Sequence, residues 1–155
     1  INQFIKPKIS IPFASSQVHH IYDIDVKDAP PIEEKIIEFV NIINNVDAII
    51  WHNIEYDEEM ITLELRRLQK EYLYKPNQVI WTMKTTVDFC GIKWNWERFK
   101  YPKLWELYKT LFWEYFIWAH DAMVDVEATL KAFLELESKK ILNLKENKEE
   151  VLSLF

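Results

Sequence analysis

The chain has 155 residues, enough for one ordinary domain with a core of its own. Hydrophobic residues make up 49% and charged residues 28%, which excludes a disordered chain and suits a surface facing water. A formal net charge of -6 excludes holding nucleic acid by bulk positive charge, though not an enzyme that meets phosphates through bound cations.

Cys90 is the only cysteine, so neither an internal disulfide nor a CxxC metal knuckle can form, and a reducing, cytoplasmic setting is expected. LFWEYFIWA is interrupted by Glu114 and is too short to span a membrane, so no membrane partner is expected. No signal peptide is visible. In chain order, INQFIKPKISIP reads as a short extended segment ending in a loop. ASSQVHHIYDIDVKDAPP reads as a connector closed by Pro30 and Pro31, and proline suits a helix start. IEEKIIEFVNIINN follows with Ile32, Ile36, Val40 and Ile43 at helical spacing and Glu33 and Glu34 in the first turn. VDAIIWHN is too short for a helix and suits a buried strand. DEEMITLELRRLQKEY returns to helical period through Ile61, Leu65, Leu68 and Tyr72.

QVIWTM is again strand-like, and KTTVDFCGI is a short helix that Gly91, the only glycine, can terminate. KWNWERFKYP is a loop. KLWELYKTLFWEY places Leu104, Leu107, Tyr108 and Leu111 on one helical face. A last helix is predicted from about Ala122 to Leu142 with Met123, Val126, Leu130, Phe133 and Leu134 facing inward. NLKENKEEVLSLF is a charged tail. Helices alternating with short buried strands predict an α/β layered fold.

Two polar stretches stand out. WHNIEYDEEM places His52, Asn53 and Asp57 where a buried strand gives way to a helix, and ligands in open α/β sheets sit beyond the carboxyl ends of strands. AHDAMVDVEAT places His120 five residues before Asp125, at another helix start. The plain reading of each is local: an N-cap or first-turn acid that complements the helix dipole, and a satisfied strand-end turn. Taken together they ask for more. Asp57 and Asp125 are 68 residues apart, with room for a helix, a strand and a helix between them. Carboxylates brought together repel unless a cation lies between, and hard cations such as Mg²⁺ or Mn²⁺ take oxygen ligands. His120 adds a base with an ordinary pKa of about 6.5. Metal ions with a neutral imidazole suit hydrolysis of a phosphodiester by water.

HNIEYDEEM resembles the HNxx[FY]D motif of the DnaQ-like, DEDDh-type 3′–5′ exonucleases, and AHDAMVDVEAT resembles their HxxxxD motif. IKPKISIPFASSQVHHI, TMKTTVDFCGI and FKYPKLWELYKTLF resemble the segments around and between those motifs, so the likeness covers roughly residues 4–137. The ordered pair of motifs is specific where either alone is not. The resemblance implies a ribonuclease H-like mixed sheet flanked by helices. It implies that Asp57 and Asp125 ligate a two-metal Mg²⁺ or Mn²⁺ site, that His120 is the general base, and that His52, Asn53 and Tyr56 line the terminal nucleotide. The implied substrate is the 3′ end of a single-stranded nucleic acid, DNA as in proofreading, with a DNA polymerase as partner.

The family's first motif, D-x-E on its first strand, is missing. Asp57–Glu59 and Asp125–Glu127 match it formally but fall inside the other two motifs. With Ile1 in place of Met, the expectation is a chain truncated at its N-terminus: an exonuclease domain over 1–142 lacking its first strand and most of its second, weakly active alone, and a tail over 143–155. Trp81 also departs from the family and is given no role.

Two other readings stay open. One is a non-catalytic DnaQ-like binding module. The other is an HD-type metal phosphohydrolase built on the His120–Asp121 pair with His19, His20 and His52, although those folds are all-helical. Trp94, Trp96 and Phe99, interleaved with Lys93, Arg98 and Lys100, suit stacking on single-stranded bases, against the plainer reading that they cover a sheet or helix. Arg66, Arg67 and Lys70 read as a solvated helix face, and His19 and His20 as turn residues.

Overall fold

The computed structural model describes residues 3–95, 98–114 and 122–142. The chain forms two compact units, Ile1–Asn45 with Asp57–Lys75, and Val46–Tyr56 with Pro76–Phe155.

The first unit is helical. Its opening segment forms a parallel bridge, Lys6 to Pro31, in which the Lys6 N–H donates to the Pro30 carbonyl at 2.9 Å, and Lys8 pairs with Glu33 of the following helix. The expected connector instead folds into α1 (Phe13–His19) and α2 (Asp23–Val26). Asp25 caps α2 by accepting from the Tyr22 N–H, and Asp23 accepts from the N–H of the more distant Ile11, at 2.8 Å each. Next comes α3 (Ile32–Asn45), directly after Pro31, and Ile36, Val40 and Ile43 are buried as their spacing predicts.

The next helix, α4 (Ile54–Arg67), begins three residues earlier than the periodicity indicated and ends sooner. Gln69 adopts a left-handed φ of 56°; the Lys70 N–H donates to the Leu65 carbonyl at 2.8 Å and the Gln69 N–H to that of Arg66 at 3.0 Å. This double closure stops the helix without a glycine. Ile61 and Leu65 are buried, whereas Tyr72 lies beyond the stop and is exposed. Asn44 fastens the outgoing chain, donating to the Leu73 carbonyl at 2.6 Å and accepting from the Lys75 N–H at 2.8 Å.

The second unit holds a parallel pair, β1 (Ile49–Trp51) and β2 (Val79–Trp81), in register Ile49–Val79, Ile50–Ile80 and Trp51–Trp81. The Ile49 N–H donates to the Gln78 carbonyl at 2.9 Å. Alternation along a parallel ladder then turns the Ile50 N–H and C=O away from β2, and neither has a partner among the described residues. Strand β2 ends at Trp81, and the expected strand residues Thr82 and Met83 open α5 (Thr82–Thr85), followed by α6 (Val87–Cys90). Gly91 closes α6 at a φ of 57°, as expected.

Two longer helices, α7 (Leu104–Phe112) and α8 (Ala122–Ser138), pack on one another, and α8 also packs on β1. The core joins Ile80, Leu107, Leu111, Ala132, Phe133, Leu136 and Leu142. On α8 the predicted inward face is corrected. Phe133 is buried, but Val126, Leu130 and Leu134 are 59%, 52% and 53% exposed, and Met123 is exposed too. The buried line is Ala128, Ala132 and Leu136. Two residues separate the lines, about 200° of helical rotation, so they lie on opposite faces. The helix also stops at Ser138, not Leu142, through the same closure as α4, with Lys140 at a φ of 57°.

The architecture is thus mixed α/β with a small parallel sheet and helices. Among the described residues no helix is long and apolar enough to cross a membrane.

Candidate active site

The carboxyl end of β1 runs into two linking residues, His52 and Asn53, and then into α4. Past the end of the ladder, the His52 carbonyl accepts from the Met83 N–H of α5 at 3.3 Å. Its ring is held at both nitrogens. Nε2 lies 3.0 Å from the Pro102 carbonyl, and Nδ1 lies 3.0 Å from the Thr82 hydroxyl. A carbonyl only accepts, so Nε2 carries a proton. Burial lowers the His52 pKa despite the opposing effect of the Pro102 hydrogen bond, which favours the neutral ring. In that state Nδ1 accepts from the Thr82 hydroxyl. Thr82 is fully buried, and its hydroxyl also lies 3.2 Å from the Trp51 carbonyl. With one proton to give, it serves the imidazole when the ring is neutral.

His52 is therefore a clamp joining the end of β1, the start of α5 and the segment after α6. Its nitrogens are engaged inside the protein, so any contact with a terminal nucleotide falls to the ring itself. Asn53 is exposed, and Tyr56, in the first turn of α4, is also exposed and available.

Asp57 is the fourth residue of α4. It does not cap the helix: its carboxylate has no hydrogen bond or ion pair among the described residues. Partial burial raises its pKa, with no positive group to offset the cost of ionisation. A desolvated carboxylate without a partner is the kind of oxygen donor a hard cation would satisfy. Asp125 is likewise the fourth residue of its helix, α8, is half-buried, and already has an interaction partner. Asp57 belongs to the first unit and Asp125 to the second. Among the described residues no three His, Cys, Asp or Glu side chains group closely enough to hold a metal ion. His120, together with Asp121, lies outside the described residues. The donor chemistry of Asp57 thus fits a cation, while the described residues by themselves do not complete a metal site.

Of the two histidines expected in a turn, His19 is instead the last residue of α1, its Nδ1 accepting from the Ile21 N–H at 3.0 Å, while His20 is the left-handed cap of that helix. A cavity of about 820 Å³ opens in the first unit, with Ile5, Ile36, Phe39 and Met60 in its wall. None of His52, Asn53, Tyr56, Asp57 and Asp125 lines it. Sequence reasoning missed Thr82 and Pro102, the partners of His52. Both come from other elements, and no local pattern marks a hydroxyl or a carbonyl as a histidine's partner.

In chain order, β1 leads through the polar residues His52 and Asn53 into a helix whose fourth residue is the unpartnered Asp57. The family model of RNase_T, described as Exonuclease, matches residues 1–133, and the chain belongs to that family. A nuclease function follows in general terms, in a family that generally uses divalent metal ions. Neither the comparison with curated proteins nor that with solved structures gives a match.

Proposed function

We propose that the protein is a 3′–5′ exonuclease that removes nucleotides from the 3′ end of single-stranded DNA, as in proofreading beside a DNA polymerase. This reading rests on the resemblance of the two motifs to those of proofreading exonucleases such as the epsilon subunit of bacterial DNA polymerase III. The observation that carries the proposal is the placement of Asp57: a motif carboxylate, desolvated and without a partner, in the turn after β1. Asp57 and Asp125 are assigned as ligands of Mg²⁺ or Mn²⁺, with His52, Asn53 and Tyr56 beside the terminal nucleotide. Such ions, when bound, supply a water of lowered pKa and take up charge on the leaving oxygen. The imidazole of His120 removes the proton from the attacking water. Tyr56 offers an exposed ring against the terminal base.

Turnover by the chain is expected to be low, because two carboxylates stand where the family's motifs provide four. The test therefore uses the chain in excess over a 5′-labelled single strand, with Mg²⁺ or with EDTA, and follows loss from the 3′ end. His120→Ala should slow release by about 10²–10⁴-fold at nearly unchanged affinity for the strand. Asp57→Ala and Asp125→Ala should slow it further. Unchanged release by His120→Ala, with only a lowered melting temperature, would refute the assignment of the base.

A further inference from the structure

The segment between α6 and α7 was expected to be a loop whose aromatic residues either cover the fold or meet nucleic acid. Part of it is a short antiparallel ribbon. Lys93 and Phe99 form the bridge, the Lys100 N–H donates to the Ile92 carbonyl at 2.8 Å, and the Trp94 N–H donates to the Arg98 carbonyl at 2.9 Å. These bonds flank Lys93 and Phe99, which makes them a directly opposed pair with close side chains. Trp94 and Arg98 are the next opposed pair, and alternation places them on the other face. Each face therefore sets one aromatic ring beside one cation.

The rings do not cover the fold. Trp94 is 74% exposed, Phe99 44% and the following Tyr101 58%. Lys93 and Arg98 are exposed and make no ion pair among the described residues. The base of the ribbon is nevertheless fixed. Lys100 is paired with Glu106 of α7. Burial would raise the Glu106 pKa, but its hydrogen bonds to Lys100 and to the Lys103 N–H leave it lowered, so the pair stays charged. Pro102 is fully buried and accepts the His52 Nε2–H. The ribbon is thus tied to the motif histidine at the end of β1. The Arg98 N–H also donates to Asn95 Oδ1 at 3.0 Å.

Trp94 above all stands in water on a braced ribbon and gains little from packing there. Rings with a cation beside each are the pairing that meets a single strand: a base stacks on the ring while the neighbouring phosphate meets the cation. We propose that the ribbon formed by Lys93, Trp94, Arg98 and Phe99 is a stacking platform for single-stranded nucleic acid, holding the strand whose end is processed. This rests on the exonuclease reading and adds a binding element that neither motif contains. In a chain of net charge -6, two unpaired cations give a local, not a global, attraction, so the rings supply most of the affinity.

The test is fluorescence anisotropy of a short labelled oligothymidylate with the full 155-residue chain in EDTA at low salt, where no cleavage is required. Trp94→Ala should weaken binding about 5- to 150-fold, and Trp94→Phe should retain most of it. Arg98→Ala should lower the slope of log affinity against log salt by about 0.7. Trp94 is exposed, so circular dichroism should show both variants folded. Equal affinity of wild type and Trp94→Ala, or no binding by the wild type, overturns the proposal. Binding through Trp94 without any Mg²⁺-dependent release would sink the exonuclease reading and leave the platform standing. Release with unchanged affinity in Trp94→Ala would do the reverse.

Discussion

Helices α4 and α8 begin and end alike but bury opposite kinds of side chain. Each carries a motif aspartate at its fourth residue, and each is stopped by a left-handed residue that is not glycine, Gln69 and Lys140. Along α4 the buried residues are bulky, Ile61 and Leu65. Along α8 the line that is buried starts with two alanines, Ala128 and Ala132, while Val126, Leu130 and Leu134 face outward. The lesson concerns close approach. An alanine line lets α8 lie close against β1 and α7, and bulk is admitted only at Phe133 and Leu136, which join the core of Ile80, Leu107 and Leu111. Apolar size is therefore a poor guide to which face of such a helix turns inward.

Truncation separates the two faces most sharply. Leu65→Ala in α4 and Leu136→Ala in α8, both at fully buried positions, should each cost about 2–5 kcal/mol in urea unfolding. Leu130→Ala should change stability by no more than about 0.5 kcal/mol. Equal losses at Leu130 and Leu136 would mean that both faces of α8 are packed.

Overfilling the seam is the next step down. Ala132→Leu should cost about 1–3 kcal/mol, because the added methylenes have no space between α8 and its neighbours. An unchanged urea midpoint would show that the alanine line is not the contact.

Smaller still is the effect at the shared helix ends, and it has the opposite sign. A side chain in the left-handed region costs about 1–2 kcal/mol, and glycine returns roughly 0.5–1 of that as entropy lost on folding. Gln69→Gly and Lys140→Gly should therefore each stabilise the chain by about 0.5–1 kcal/mol. Loss of stability in either would assign those side chains a role beyond the turn.

The aspartates give the subtlest test. Burial raises the Asp57 pKa above its unfolded value, so the folded state holds the proton more tightly. Stability should then fall as pH rises from the unfolded value, near 3.9, through the raised folded one, and stay lower above it. In metal-free solution Asp57→Asn should abolish that decline and raise the melting temperature at neutral pH. The same substitution should remove the gain in melting temperature on adding Mg²⁺, if the wild type has one. A pH profile identical in the two proteins would show that Asp57 ionises without cost.

What could be read from the chain follows from where the signals are local. Helix α3 was legible because Pro31 opens it and its isoleucines repeat on one face, and Gly91 announced the end of α6. The ends of α4 and α8 were not, because Gln69 and Lys140 do a turn that glycine usually marks, as His20 and Trp113 do for α1 and α7. The short α1 and α2 hid in a stretch with turn composition. Asp57 was legible as a motif residue at a helix start, whereas its missing partner is a property of packing. The engagement of His52 by Thr82 and Pro102, thirty and fifty residues away, was invisible for the same reason.

The parallel pair also has a consequence for backbone kinetics. In β1 the amides of Ile49 and Trp51 face β2, while that of Ile50 faces away from it. Three consecutive residues of one strand therefore differ in what must break before their protons can leave. Exchange with deuterium at Ile49 and Trp51 waits for the pair of strands to separate, but at Ile50 it needs only access of solvent to the edge. Along β1 the protection pattern should read slow, fast, slow, a three-residue signature of a strand that, among the described residues, is paired on one side.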